Sequence, residues 1–276
     1  MIKQAIIPLA GLGTRLLPLT SVFAKELLPI NGKPGIEYII EECIEAGIKE
    51  IIFIISQKKI MIKNYFYNDS FYKKIIKKKK DPRIINEYKK ILKYKKMIKF
   101  VYQDKPLGTG DAVFKTKKYI KDKYFLMLFP DDLIMKKNCS KSMIVTHKQF
   151  KASVMACMSV NKKTVSRWGI YNVNKELNKN NFLIKGVVEK PSIKGAPSNK
   201  AVIGRYILPK SIFKKLSKLK PGNNDEIHIT DAIQLLINDN EKFIAHNFLG
   251  KYLDCGTMKG YINSSLEISK IWNSAW

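Results

Sequence analysis

Apolar residues fall in short runs along this chain, and the runs alternate between two periods. Gln4 to Leu9 predicts a short buried strand that runs straight into Ala10-Gly11-Leu12-Gly13-Thr14-Arg15, a glycine-rich turn. Ile36, Ile39, Ile40, Cys43, Ile44 and Ile48 then recur at helical spacing, with Gly47 as a stop signal, which predicts a helix across about Gly35 to Ala46. Ile51 to Ile55 returns as a buried strand. This strand, helix, strand alternation predicts an α/β fold with a mostly parallel sheet and helices on both faces.

From Lys58 to Lys99 the chain turns lysine and tyrosine rich, with Lys77 to Lys80 followed by Asp81-Pro82, and its apolar residues follow no clean period. A helical surface excursion is expected there. Phe100 to Gln103 predicts a strand, Asp111 to Ile120 a helix, and Tyr124 to Phe129 an apolar strand that stops at Pro130-Asp131-Asp132. An acidic pair at the carboxyl end of a central strand stands where open α/β sheets bind ligands. The second half reads as more mixed, with strands at Ser153 to Ser159, Gly169 to Val173, Ile184 to Val188 and Val202 to Leu208 and helices at Thr230 to Ile237 and Gly256 to Lys270. The length of 276 residues and 45% hydrophobic content suit one domain over 1–276, with the excursion at about 58–99 and a C-terminal helical segment from about 256.

Composition narrows the setting. No apolar run approaches the roughly 18 to 20 residues of a membrane span, and no cleavage site follows the first apolar stretch, so the chain is expected to be soluble and not exported. Cys43, Cys139, Cys157 and Cys255 show no Cys-x-x-Cys spacing, which argues against structural zinc or disulfides and fits a reducing cytoplasm. His147, His228 and His246 are too dispersed for a histidine metal site. The net charge of +28 suggests a nucleic-acid or anionic-membrane partner, yet only four of the 51 basic residues are arginine, the residue whose planar fork such surfaces favour. A solvated basic surface is the better reading, and its field can draw in a polyanionic small molecule.

The glycine-rich turn fits neither the dinucleotide fingerprint, since Leu16 stands in place of the third glycine, nor a P-loop, which needs Gly-Lys-Ser/Thr. Glycines there let a backbone approach phosphate closely, and Arg15 adds charge. The turn continues as Gly11-Leu-Gly-Thr-Arg-Leu-Leu-Pro18, Lys25-Glu-Leu-Leu-Pro29 and Lys33-Pro34. Further on come Pro106-Leu-Gly-Thr-Gly110, Pro130-Asp-Asp132, Val188-Glu-Lys-Pro191, Ala196-Pro-Ser-Asn199, Ile203-Gly-Arg-Tyr206, Asp225-Glu-Ile-His-Ile-Thr-Asp-Ala-Ile233 and Asp254-Cys-Gly256. With these segments, in this order, the sequence resembles the sugar-phosphate nucleotidyltransferases, and among them the bacterial UTP-glucose-1-phosphate uridylyltransferases.

The resemblance implies a Rossmann-like, glycosyltransferase-A-like fold, UTP and glucose 1-phosphate as substrates, Mg2+ as cofactor and a homo-oligomer. It implies that Ala10, Gly11, Gly13, Thr14 and Arg15 hold the triphosphate, that Lys25 neutralises it, and that Gln103 and Gly108 read the uracil. By the same carry-over, Asp131 and Asp254 ligate magnesium, while Gly169, Glu189, Lys190, Gly204 and Arg205 form the sugar-phosphate pocket. Arg15, Lys25, Asp131 and Lys190 are the implied catalytic residues. Attack of one phosphate on another brings two polyanions together, so charge neutralisation and in-line positioning must carry the catalysis. Glu189 and Lys190 are adjacent on a strand and face opposite ways, which calls for a local bend if both act. Two positions depart from the family pattern: Ser21 replaces a lysine and Ala24 a proline. A thymidylyltransferase, a sugar-nucleotide binding protein without catalysis and an RNA-associated homologue are the competing readings.

Overall fold

The computed structural model describes residues 1–222 and 225–272; positions 223, 224 and 273–276 of the expected single domain lie outside the described residues. The first half runs β1 (Gln4–Pro8), β2 (Pro29–Ile30), β3 (Lys33–Pro34), α1 (Gly35–Glu45), β4 (Glu50–Ile55), α2 (Ile60–Tyr67), α3 (Asp69–Lys79), α4 (Pro82–Met97), β5 (Ile98–Tyr102), α5 (Gly108–Phe114), β6 (Tyr124–Leu128) and β7 (Asp132–Met135). The second half continues α6 (Cys139–Phe150), β8 (Ser153–Ser159), β9 (Gly169–Asn178), β10 (Asn181–Glu189), β11 (Lys200–Pro209), α7 (Ile212–Leu216), α8 (Ile229–Asn238), β12 (Phe243–Asn247), β13 (Lys251–Asp254) and α9 (Met258–Trp272).

Among the described residues, nine strands form one sheet in the order β5-β4-β1-β6-β11-β8-β12-β10-β9. β5, β4, β1 and β6 are parallel, as the alternation predicts, and β12 joins β8 in parallel. The remaining neighbours on the β11 to β9 side pair antiparallel, which is the mixed character of the second half. The parallel strands read as unbroken apolar runs because both faces are covered. Ala5, Ile7, Ile51, Phe53 and Ile55 face the core under α1, α2 and α4, while Ile6, Ile52 and Ile54 face the core under α5, α7 and α8.

The excursion lacks a clean period because its helices bury so little. α2 sends Ile62 and Phe66 into the core and α4 sends Ile91 and Tyr94, whereas α3 has no buried residue and carries Lys77, Lys78 and Lys79 in its last turn. Asp81 caps α4 by accepting the Arg83 N–H, with Pro82 opening the helix.

One predicted helix is corrected. The segment expected to be helical from Asp111 to Ile120 starts earlier, at Gly108, and ends at Phe114. Beyond it the Thr116 and Lys117 amides bond three residues back, and the Thr116 hydroxyl also takes the Val113 carbonyl, 2.7 Å away, so the chain closes into tight turns.

The antiparallel half holds a buried histidine. His246 of β12 sets Nδ1 2.8 Å from Asn181 Oδ1 and Nε2 3.0 Å from Ser142 Oγ, between β10 and α6. Burial pushes its pKa down to about 4. An unfolded histidine titrates near 6.5, so between those values the unfolded chain binds a proton that the fold refuses. Its contribution is full above about pH 6.5 and is lost as pH falls through the folded value, roughly 2 kcal/mol being gone by pH 5. Urea unfolding at pH 7 and pH 5 should show that fall, and His246→Gln should flatten it; equal pH slopes in the two chains would remove the histidine as the cause.

Candidate active site

The four parallel strands end on one edge, and the turns that follow β1, β5 and β6 meet there. After β1 the Leu9 N–H still bonds to Ile54, 2.7 Å away, but the N–H groups of residues 11–15 meet no acceptor among the described residues. Gly13 turns the chain with φ +71°, and Gly11 has open space where a side chain would stand. Thr14 and Arg15 are exposed on a short 3-10 turn, and Ala10 is partly buried at its base. A row of unpaired amides ending in a guanidinium is a binding surface for anions.

Opposite this loop stands Asp131. Lys25 Nζ lies 2.8 Å from its Oδ2 and the Arg15 guanidinium 3.5 Å from the same oxygen. Burial pushes the Asp131 pKa up, but the charges of Lys25 and Arg15 outweigh it and hold the carboxyl below the usual range. Lys25 answers in kind: burial lowers its pKa, and Asp131 and Glu26 more than restore it, so the ammonium is held charged.

Asp254 reaches the same place through a ribbon of β7 and β13, in which Asp254 pairs with Asp132 and the Cys255 N–H bonds to the Asp131 carbonyl, 2.8 Å away. Gly256 closes this arrangement. A β-carbon on it would sit 2.8 Å from Asp131 Oδ2, 2.9 Å from the Arg15 guanidinium and 3.2 Å from Asp254 Oδ1, so both carboxylates face one small space. Asp254 also accepts the Gly256 N–H at 2.8 Å. No cluster of three or more candidate metal ligands exists among the described residues. Two carboxylates beside an anion-binding loop suit a hard divalent cation that completes its shell with water and phosphate oxygens.

Asp132 does different work. Its Oδ1 accepts the Tyr252 hydroxyl at 2.7 Å and its Oδ2 the Gly204 N–H at 2.8 Å. Burial, then the neighbouring Asp131 charge, pushes its pKa up, so the two adjacent carboxyls are driven apart in acidity. Two residues expected in the sugar-phosphate pocket are corrected here. The Arg205 side chain is fully buried, forms a two-point ion pair with Glu42 and donates to the carbonyls of Phe129, Gly204 and Asp132, leaving no donor for a substrate. Gly204 spends its N–H on Asp132 and its carbonyl on Phe129, and a β-carbon there would stand 2.5 Å from Asp132 Oδ2. Both brace the Phe129–Asp132 turn from behind.

On the β5 side, Gln103 is buried and both its amide hydrogens are committed, to the Gly108 carbonyl at 3.0 Å and to Asp111 Oδ2 at 2.8 Å. Asp111 only accepts, which fixes the amide orientation and turns Oε1 into the free acceptor. Gly108, at φ +88°, has its Cα against the backbone of Ile227. On the far side, Gly169 pairs with Glu189, whose carboxylate covers it. Lys190 takes φ +43°, the bend that adjacent strand residues require to share a site, and its N–H bonds to the Trp168 carbonyl at 3.0 Å. The Trp168 ring meets Tyr252 edge-on at 5.7 Å, which links this end to Asp132. Glu189 and Lys190 are exposed, with a loose 3.7 Å ion pair.

Sequence reasoning missed Glu42, Tyr252 and Trp168 as supports. Glu42 had a signal, an acid on the apolar face of α1 next to Cys43. Removing one partner of a buried pair strands the other charge, so Arg205→Met should lower unfolding stability by about 3–5 kcal/mol, and Arg205→Met with Glu42→Leu by much less. Urea titrations of both chains check this; equal losses would mean that the guanidinium's carbonyl contacts matter more than its charge.

Residues 4–271 match the nucleotidyl transferase family. A UTP-glucose-1-phosphate uridylyltransferase of Bacillus subtilis is 34% identical over 269 residues, covering 97% of this chain and 91% of the relative. One from Mycoplasma pneumoniae is 35% identical over 267 residues, covering 96% and 91%. Among solved structures, a UDP-glucose pyrophosphorylase complexed with UDP-glucose aligns at TM-score 0.85 and 35% identity, over 98% of this chain and 99% of that one. A UTP-bound UGPase from Acinetobacter baumannii aligns at TM-score 0.88 and 33% identity, over 98% and 94%. Matched along nearly its whole length, through the glycine loop and both aspartate turns, the chain belongs to the nucleotidyl transferase family.

Proposed function

We propose that this enzyme transfers a uridylyl group from UTP to glucose 1-phosphate, giving UDP-glucose and pyrophosphate. The observation that carries the reading is the meeting of Arg15, Lys25, Asp131 and Asp254 around Gly256, at the mouth of a loop of unpaired amides. Relatives that span nearly all of this chain carry that activity in their names, and related structures are described as bound to UTP and UDP-glucose.

In this reading the amides of residues 11–15 and Arg15 hold the triphosphate, and Lys25 stays in place and exchanges its contact with Asp131 for the phosphates. Asp131 and Asp254 hold Mg2+, which when bound offsets phosphate charge at the reacting centre. The sugar phosphate attacks the α-phosphorus in line, and the bond to pyrophosphate breaks; no protein nucleophile takes part. Glu189 accepts sugar hydroxyls and Lys190 meets the sugar phosphate, on opposite sides of the bend. Gln103 Oε1 accepts the uracil N3–H, a donor that cytosine lacks. Thymine shares that donor, so this residue rejects CTP but not dTTP.

We read the described residues as one nucleotidyltransferase domain, supported by the single nine-stranded sheet. Four buried, free cysteines fit work in the cytoplasm. No described helix is long and apolar enough to cross a membrane. Ile262 and Leu266 lie exposed on one side of α9 and support assembly of copies through that helix.

Pyrophosphate release measured with UTP, dTTP and CTP, with and without Mg2+, tests the reading. Turnover should require the metal, prefer UTP, be lowest with CTP, and fall by about 100-fold or more in Asp131→Asn. A folded chain that binds UDP-glucose without turnover would favour the non-catalytic binding protein, and dTTP preferred over UTP would favour the thymidylyltransferase.

A further inference from the structure

Lys25 is followed by a glutamate that points the other way. Lys25 and Glu26 open the 3-10 turn Lys25–Leu27; the lysine reaches forward to Asp131, while the Glu26 side chain is 1% exposed and reaches back to Lys59. Both Glu26 oxygens lie 2.8 Å from Lys59 Nζ, and the Lys59 side chain is itself 7% exposed. The gap enclosed by Lys25, Glu26, Asp131, Cys255 and Tyr261 is about 10 Å³, hardly room for one water. Charges therefore alternate inward from the site, Asp131, Lys25, Glu26 and Lys59, with little solvent to screen them.

A buried ion pair is a poor way to gain stability, since desolvating two charges cancels most of their attraction. Its use here fits a geometric task. Lys59 immediately precedes α2, so the pair ties the turn that carries Lys25 to the root of the helical excursion. The Ala24 N–H, one residue before Lys25, makes a second such tie to Met61 Sδ at 3.2 Å, and α4 anchors the excursion to α1, where Lys90 pairs with Glu37 at 2.9 Å and the Tyr94 hydroxyl donates to Glu41 at 3.1 Å. We propose that Glu26 and Lys59 are positioning residues for Lys25, and that the excursion is the brace through which they hold it. The attraction of Glu26 from behind keeps the ammonium in place when Asp131 turns to other partners. The proposal rests on the role given to Lys25 above.

The test replaces the pair by apolar residues of similar size, Glu26→Leu with Lys59→Met, in the full chain and again in a Lys25→Met background. Unfolding in urea and the stoichiometry of UTP binding report whether each chain is folded and competent. In the Lys25-containing chain the replacement should keep the UTP stoichiometry and lower kcat by about 10 to 100-fold, the scale expected when a catalytic group is misplaced by about an ångström. In the Lys25→Met background it should lower kcat no further, because the pair acts only through that lysine. Unchanged kcat in a folded replacement chain, or losses that multiply in the Lys25→Met background, would overturn the proposal. Full turnover of Lys25→Met with the pair intact would instead sink the role of Lys25, and the proposal with it.

Discussion

A carboxylate at the end of a central strand has to stay ionised while most of its surface is taken from water. Asp131 is in that position, its side chain 18% exposed, and much of the surrounding architecture answers it. Lys25 and Arg15 stand in front and hold the charge by Coulomb attraction. Behind, Arg205 fixes the carbonyls of Phe129 and Asp132, and its own charge is met by Glu42, so the turn cannot relax away from the two cations. Asp132, one residue on, is used as a brace between Gly204 and Tyr252. Two neighbouring acids cannot both be freely ionised in one buried turn, and the structure resolves this by giving one the cations and the other the neutral donors.

The same economy of charge bears on the +28 of the sequence. The lysines of α3 and of the excursion's outer faces sit on a surface that buries nothing, as a solvated basic skin would. The cations that matter to the site are few and paired: Lys25 to Asp131, Lys59 to Glu26, Arg205 to Glu42. Each is held in surroundings where its partner is worth far more than any exposed lysine can be in salt. The general field can draw polyanions towards the protein, while these pairs fix the local geometry around Asp131 and leave the unpaired amides of the glycine loop open to an anion.

Much of this was legible in the sequence, and the limits have physical causes. The parallel half was readable because strands buried on both faces must be continuously apolar, and α1 because one face alone packs. β7, β13 and β12 were not read: the first two are four residues long, and their pairing is set across more than a hundred positions by the Asp132 to Asp254 register. That ribbon is what joins the two metal-binding candidates, so the motif could suggest Asp131 and Asp254 but not why they meet. Arg205 was misread for a related reason. A motif arginine beside a glycine looks like a substrate clamp, and only the burial of Glu42 on α1, far away in the chain, shows that its donors are already spent. At Gln103 the motif named a residue but not an atom, and only its partners Gly108 and Asp111 show which of its atoms is free.

The two departures from the family pattern can be weighed against the same geometry. Ala24 replaces a proline, yet it holds φ −65° and ψ 131°, a conformation that proline itself would impose. What is lost is restraint on the unfolded chain, about 0.4–1 kcal/mol by the usual measure of such exchanges. What is gained is an N–H, which Ala24 gives to Met61 Sδ and which proline could not. The residue is only 3% exposed, so packing holds the turn as well. Ser21 takes away a charge but donates its hydroxyl to the Pro18 carbonyl at 2.6 Å, closing the turn in its own way. Between them, the loop reaches Lys25 with its backbone in proline-like form and the lysine on Asp131, so neither substitution displaces the Lys25 charge from its place beside that carboxylate.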